Sequence, residues 1–347
     1  MALILAIESS CDDMSVAVFD TVAQKIRAYH TYSQKSHELY GGVVPELASR
    51  EHLEKVGLVV DIVMQQAACS FADLAAVAAT NKPGLAGSLL VGLCYAKGIA
   101  WARGIPFLAI DHLEGHIFSA FLETDGSVRT TLTFPHLCLT ASGGHTALYL
   151  VKDFGAFTLI GSTRDDAAGE AFDKIAKLIG FSYPGGATIE RLAREAHFED
   201  VFKYPRTKHT PGDFSFSFSG LKTAVLYDLA KRGYVDLATG NATPALTEEV
   251  QRHVASSLLA CIGDILVKTF SRALDAYPEV TALTFVGGVA CNKYLRQRLE
   301  ALATTRGITL HISPPAFCTD NGAMIAFVAG YRFARGERCA LSIDVFE

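Results

Sequence analysis

The chain has 347 residues, half of them apolar, with 31 basic and 36 acidic side chains and a net charge of −5. That length suits about two domains. The apolar share excludes a disordered chain, and the charge argues against coating nucleic acid by bulk electrostatics. Eight cysteines are scattered without a C-x-x-C pair. They read as buried free thiols in a reducing, cytoplasmic setting, not as a disulfide scaffold or zinc ribbon.

The opening MALILAIESSCDD has no positive n-region and reads as a strand over residues 2–7, not a signal peptide. A polar turn at 11–14 leads to a second apolar run at 15–19. The pattern of strand, small polar turn and strand returns at 137–150 around Ser142-Gly143-Gly144-His145. Two halves with one topology are expected. Between them, 47–64 has helical periodicity, 75–80 is strand-like, and 86–101 is an apolar helix. That helix carries Lys97 and suits a buried position better than a membrane. A short strand at 107–110 runs into Asp111 and a helix start. Residues 123–135 are polar with Gly and Pro and form the expected hinge. Further on, 169–179 and 189–196 read as helices separated by Tyr183-Pro184-Gly185-Gly186. A long apolar helix covers 248–274. A strand at 281–286 ends in Gly287-Gly288 before a helix from about Cys291, and 321–333 is a final helix. Strands alternating with helices mean α/β with partly parallel sheets. The expected division is 1–130 plus 321–347 against 131–320, with the return crossing near Pro314-Pro315.

No Walker or Rossmann phosphate loop occurs, and no two glycines are spaced G-x-G. Three other devices suit an anion or flat ring. They are the tight turns at 9–13 and 142–145, which can aim backbone N–H groups, and Gly287-Gly288 between strand and helix. His112 and His116 share one helix face at i, i+4, so both imidazoles can reach one ion. Eleven histidines give roughly 0.35 such pairs by chance, so two ordinary histidines on one helix face stay open. A zincin needs H-E-x-x-H, whereas Glu114 follows His112 by two and is turned about 200° away. Asp320, at a helix start, is either an N-cap or a third ligand. The acids at 165–173 either favour a helix N-terminus or, with Asp173 and Glu190, accept ribose hydroxyls. The alternating Phe and Ser at 214–219 are either core or a contact surface for RNA or a partner.

The motifs IESSCDD, GGVVPELASR, the PGL after Lys82, DHLEGH, SGGHT, DDAAGEAFDK, YPGG, FSFSGLKT, GGVACN and CTDNGAMIA occur in that order over nearly the whole chain. The sequence resembles the TsaD family (also Gcp or YgjD), bacterial and organellar branch, formerly called O-sialoglycoprotein endopeptidases. The resemblance implies the actin/Hsp70/sugar-kinase (ASKHA) fold, two related α/β domains with a nucleotide-binding cleft between them. It implies transfer of threonylcarbamoyl from threonylcarbamoyl-AMP to the exocyclic amine of the adenosine 3′ of the anticodon, in tRNAs reading codons that begin with A. Carried over, His112, His116 and Asp320 would hold one divalent metal, iron or else zinc. Thr140, Ala141, Ser142, Gly143 and Gly144 would line the phosphate and acyl part, with Ser142 and Asp12 catalytic. Asp173, Gly186, Glu190 and Asn292 would hold the adenosine. A TsaB-like paralogue and a TsaE-like ATPase are the implied partners, with no membrane. Three positions depart from the family pattern: Asp13 for Glu, Met14 for Thr and Lys82 for Gly. An ATPase or kinase-like protein of the same fold, or a non-catalytic scaffold, are the competing readings.

Overall fold

The computed structural model describes residues 2–40, 42–182, 184–206 and 212–347. Gly41 and Tyr183, which fall in two of the motifs, lie outside the described residues. In chain order the elements are β1 (Leu3–Glu8), β2 (Asp13–Asp20), β3 (Lys25–Ser33), α1 (Pro45–Gln66), β4 (Leu74–Lys82), α2 (Ala86–Arg103), β5 (Phe107–Asp111) and α3 (His112–Phe118). There follow β6 (His136–Ala141), β7 (Thr146–Asp153), β8 (Ala156–Ser162), α4 (Ala168–Leu178), α5 (Gly185–Glu195), α6 (Ser219–Lys231) and α7 (Glu248–Ala276). The chain closes with β9 (Ala282–Val286), α8 (Lys293–Arg306), β10 (Thr309–Ile312), α9 (Pro315–Cys318) and α10 (Gly322–Ala334). The chain divides into two compact units, Met1–Thr131 with Ser313–Glu347, and Leu132–Ile312.

Each unit is built on a five-stranded sheet, ordered β3-β2-β1-β4-β5 in the first and β10-β9-β6-β7-β8 in the second. In the first, β1, β4 and β5 run parallel while β1, β2 and β3 form an antiparallel meander. In the second, β6, β9 and β10 are parallel and β6, β7 and β8 antiparallel. Strand for strand the two sheets share one topology, as the repeated strand–turn–strand pattern predicts. Parallel strands need both faces covered. Accordingly β1 (LILAIE) is buried at every position.

In the first unit α1 buries Ala48, His52, Val56, Val59, Val60 and Val63 along one stripe. Each fully buried aliphatic of this kind stabilises the fold by about 1.5–3 kcal/mol. From the far end of the chain α10 returns to pack on β1 and β2. Gly322 begins that helix where a side chain would collide with the Val16–Ala17 backbone. In the second unit α7 is the helix among the described residues that is long and apolar enough to cross a bilayer. Some 78% of its apolar window is buried inside the protein, which makes it a core helix.

Phe214, Phe216 and Phe218 are buried in the second unit. They are core side chains, not a contact surface. Met14 is likewise buried in the apolar core of the first unit. Lys82 donates its ammonium to the main-chain oxygen of Glu347, so this departure ties down the tail.

Candidate metal centre and anion-binding turns

In the first unit the parallel strands β1, β4 and β5 end at Glu8, Lys82 and Asp111. Side chains with chemistry gather at these carboxyl ends, as α/β sheets generally arrange them. Asp111 caps α3 by accepting from the Leu113 and Glu114 amides at 2.8 and 3.2 Å. The cap fixes the start of the helix, and with it the direction of His112 and His116 one turn apart. The two imidazoles lie edge to face, 4.6 Å between centroids.

Asp320 completes the cluster. Its Oδ1 is 3.1 Å from His116 Nε2 and 3.4 Å from His112 Nε2. All three donor atoms fall within 4.8 Å of one another. Asp320 is not the helix cap, because the neighbouring Asn321 accepts from the Met324 amide at 2.9 Å. That division leaves the Asp320 carboxylate unspent.

Glu8 is the member that sequence patterns do not reveal. It is fully buried and takes hydrogen bonds from the Ser10 amide (2.7 Å) and the Thr80 hydroxyl (2.5 Å). Its Oε2 also faces His112 Nδ1 at 3.1 Å. An ionised carboxylate only accepts, so the proton sits on Nδ1 and Nε2 turns its lone pair toward Asp320. Two acceptors so close need a cation between them. Without a metal that cation is a proton. Burial opposes charge on His112, yet Glu8 and Asp320 hold its pKa well above the usual histidine value. Burial also opposes charge on Asp320, yet His112 and His116 hold its carboxyl well below the usual range. His116 Nδ1 is buried with no hydrogen-bond partner among the described residues. Two imidazoles and one carboxylate this close together are a donor set that suits a divalent transition metal.

Glu114 points away from this cluster. It is buried and ion-paired with Arg332 of α10. Burial is the main influence on its carboxyl and raises its pKa. It cannot serve there as the general base of a metalloprotease.

The loop between β1 and β2 carries Asp12, and Asp13 opens β2. Burial pushes the Asp13 carboxyl up to about 6, against a hydrogen bond from Ser33 and with the charges of Asp320, Asp12 and Glu8 adding to the rise.

In the second unit the predicted substrate residues lie at the carboxyl end of β6, on α4 and α5, and at the N-cap of α8. Thr140 and Ala141 end β6. The turn is closed by the Ser142 amide donating to the His145 carbonyl (2.8 Å) and the His145 amide to Ser142 Oγ (3.1 Å). Gly143 and Gly144 have open space where a side chain would stand. Gly287 approaches the Ala141 carbonyl so closely, at φ +90°, that only glycine fits. Gly169 of α4 packs against Ser142 and Gly143 in the same way. Asp173 accepts from the Gly185 amide at 2.7 Å, capping α5 beside Gly186. Burial raises its carboxyl pKa. Glu190 accepts from the Lys293 amide (2.8 Å), and Asn292 caps α8 through the Leu295 amide (3.0 Å). Asp173, Glu190 and Asn292 thus each spend one oxygen on a helix N-terminus.

The family model for TsaD, tRNA N6-adenosine threonylcarbamoyltransferase, matches residues 25–327. Curated proteins of that name are similar along their whole length. The one from Pelobacter propionicus is 43% identical over 99% of this chain and 96% of its own. The one from Geotalea uraniireducens is 44% identical over 99% and 94%. Among solved structures, the chain is similar to the (R)-2-hydroxyglutaryl-CoA dehydratase component A of Acidaminococcus fermentans. The TM-score is 0.52 at 14% identity, covering 96% of this chain and 100% of that one. Full-length HypF in its phosphate- and nucleotide-bound form gives a TM-score of 0.59 at 13% identity, over 96% of this chain and 56% of that one. These likenesses concern the fold, which is of the actin/Hsp70/sugar-kinase class with two related α/β domains. With a family model over most of its length and relatives above 40% identity end to end, the chain belongs to the TsaD family, the tRNA N6-adenosine threonylcarbamoyltransferases.

Proposed function

We propose that the chain transfers the threonylcarbamoyl group of threonylcarbamoyl-AMP to the exocyclic amine of the adenosine 3′ of the anticodon, in tRNAs reading codons that begin with A. The end-to-end match to named threonylcarbamoyltransferases carries this reading. The convergence of His112, His116 and Asp320 supports a metal-dependent form of it.

His112, His116 and Asp320 would hold the metal. Two imidazoles and a carboxylate suit iron(II), with zinc(II) the alternative. Bound there, the metal would supply Lewis-acid polarisation of the acyl or phosphoryl oxygens. An exocyclic adenine amine is a weak nucleophile because its lone pair is delocalised, so the work falls on the electrophile and on proton removal. Asp12 orients the amine and accepts its proton. In the second unit the open Ser142–Gly143–Gly144 turn presents hydroxyl and backbone N–H groups to charge developing on the substrate, with Thr140 and Ala141 as its base. Asp173 and Glu190 each offer their second oxygen to ribose hydroxyls, and Gly186 and Asn292 flank the adenosine. The AMP leaves as a stable anion, so no residue need protonate it.

The net charge of −5 makes the chain alone a poor electrostatic host for tRNA. That supports work alongside a TsaB-like paralogue and a TsaE-like ATPase. Eight cysteines scattered without a C-x-x-C pair suit the cytoplasm.

The test is reconstitution with labelled threonine, bicarbonate, ATP, a threonylcarbamoyl-AMP synthase, the two partners and an A-codon-reading tRNA. Label in tRNA that disappears when this chain is omitted is the expected result. Absence of label with a competent synthase and metal-loaded protein would overturn the reading in favour of a kinase-like or scaffolding role.

A further inference from the structure

A continuous hydrogen-bonded relay runs through the first unit to the loop that carries Asp12. The Val44 amide, at the N-cap of α1, donates to His37 Nδ1 at 3.2 Å. Having accepted there, the neutral His37 carries its proton on Nε2, which lies 2.7 Å from Gln34 Oε1. With its oxygen so engaged, the Gln34 amide nitrogen faces the Ala48 carbonyl at 3.1 Å and His52 Nδ1 at 3.2 Å. His52 Nδ1 is therefore the acceptor, and His52 Nε2 donates to the Cys11 carbonyl at 2.8 Å. Every donor meets an acceptor, which fixes both tautomers and the orientation of the amide. Gln34, His37 and His52 are all buried. Burial holds the His52 pKa below the ordinary histidine value, so the ring stays neutral as the relay requires.

The carbonyls on either side of Cys11 are pinned as well. The Ser10 oxygen accepts from the Leu85 amide at 2.7 Å and the Asp12 oxygen from the Gln34 amide at 3.3 Å. Three successive carbonyls of this loop are thus occupied by groups from α1, from Gln34 and from the residue before α2. An acceptor left loose here would be free to turn toward an anionic substrate and repel it, and Asp12 would lose its fixed bearing.

The geometry points to His52 as a positioning residue for Asp12, acting through the Cys11 carbonyl and held in its working tautomer by Gln34 and His37. This rests on the reading of Asp12 as the group that handles the attacking amine. His52 touches no reacting atom. Its part is to keep the Asp12 loop in one conformation, set from the first turns of α1.

A double-mutant cycle on the reconstituted transfer reaction tests it. His52→Phe keeps a ring of similar size but loses the donor. It should lower kcat about 10–100-fold with metal content unchanged. His52→Gln, whose amide reaches the same carbonyl, should recover most of the rate. In an Asp12→Ala background, His52→Phe should add little, because its effect passes through Asp12. If the phenylalanine variant does not fold, Gln34→Met removes the group that fixes the tautomer and serves in its place. Equal losses from His52→Phe with and without Asp12, or failure of His52→Gln to restore any rate in a folded protein, would overturn the inference. Full activity of Asp12→Ala would instead overturn the role of Asp12 itself.

Discussion

Replacing Glu8 by Gln asks whether the candidate metal centre depends on the carboxylate behind His112. Glu8 accepts from three donors, the Ser10 amide, the Thr80 hydroxyl and His112 Nδ1. Truncation to Ala would strand all three in the interior at about 1–3 kcal/mol each, and would confuse loss of fold with loss of function. Gln keeps the shape and one acceptor oxygen but removes the charge that fixes the proton on Nδ1. Outer-shell partners of this kind are typically worth 10–100-fold in metal affinity, or about 1.4–2.7 kcal/mol. Competition of the purified protein with a chromophoric chelator for zinc(II), and anaerobically for iron(II), measures this directly. Circular dichroism verifies the fold. A folded Glu8→Gln protein with affinity within twofold of the parent would refute the argument and leave Ser10 Oγ, also 3.1 Å from His112 Nδ1, as the sufficient partner.

Two further outcomes follow from buried groups. Arg332→Met leaves the Glu114 carboxylate buried without its cation and should cost about 3–5 kcal/mol in denaturant unfolding. Adding Glu114→Gln should restore most of that loss, while Glu114→Gln alone should leave transfer within a few-fold of the parent; a large loss of transfer would return Glu114 to the chemistry. Burial lowers the His136 pKa from 6.5 to about 4. The unfolded state therefore binds the proton more readily, so stability is full above about pH 6.5 and falls as the pH drops toward 4. The loss is about 3 kcal/mol at 1.36 kcal/mol per pKa unit. Urea midpoints at pH 7 and 4.5 should converge in His136→Gln, and an unchanged pH dependence in that variant would refute the assignment.

Much of this was readable in the sequence because burial leaves a pattern. The apolar run of β1 before Glu8, the small-residue turn at 142–144 and the i, i+4 histidines of α3 each announce themselves locally. β3 and β8 do not. They lie at sheet edges, with exposed or half-buried faces, and an edge strand needs no apolar repeat. The role of Asp320 turned on one residue of register, since a cap and a ligand look alike until Asn321 is seen to take the cap. Glu8 was invisible for a different reason. As the last residue of a strand it reads as the start of a turn. Only the alignment of β1 with β4, and the placing of α3 after β5, bring Thr80 and His112 to it. Lys82 stands out in the sequence only as a departure from the family pattern, and its partner lies 265 residues away, a separation no local pattern spans.

The first unit is interrupted by the second. His112 and His116 precede the inserted Leu132–Ile312, and Asp320 follows it. A ribosome therefore makes two of the three donors early and the third only after an entire sheet and its helices have emerged. The inserted unit is continuous in sequence and can close on its own contacts. The first must wait for α10 to cover β1 and β2. The three-donor centre is consequently among the last features to exist during synthesis. A nascent chain offers a passing metal only two adjacent imidazoles, and the carboxylate that completes the set arrives on the same segment that seals the core.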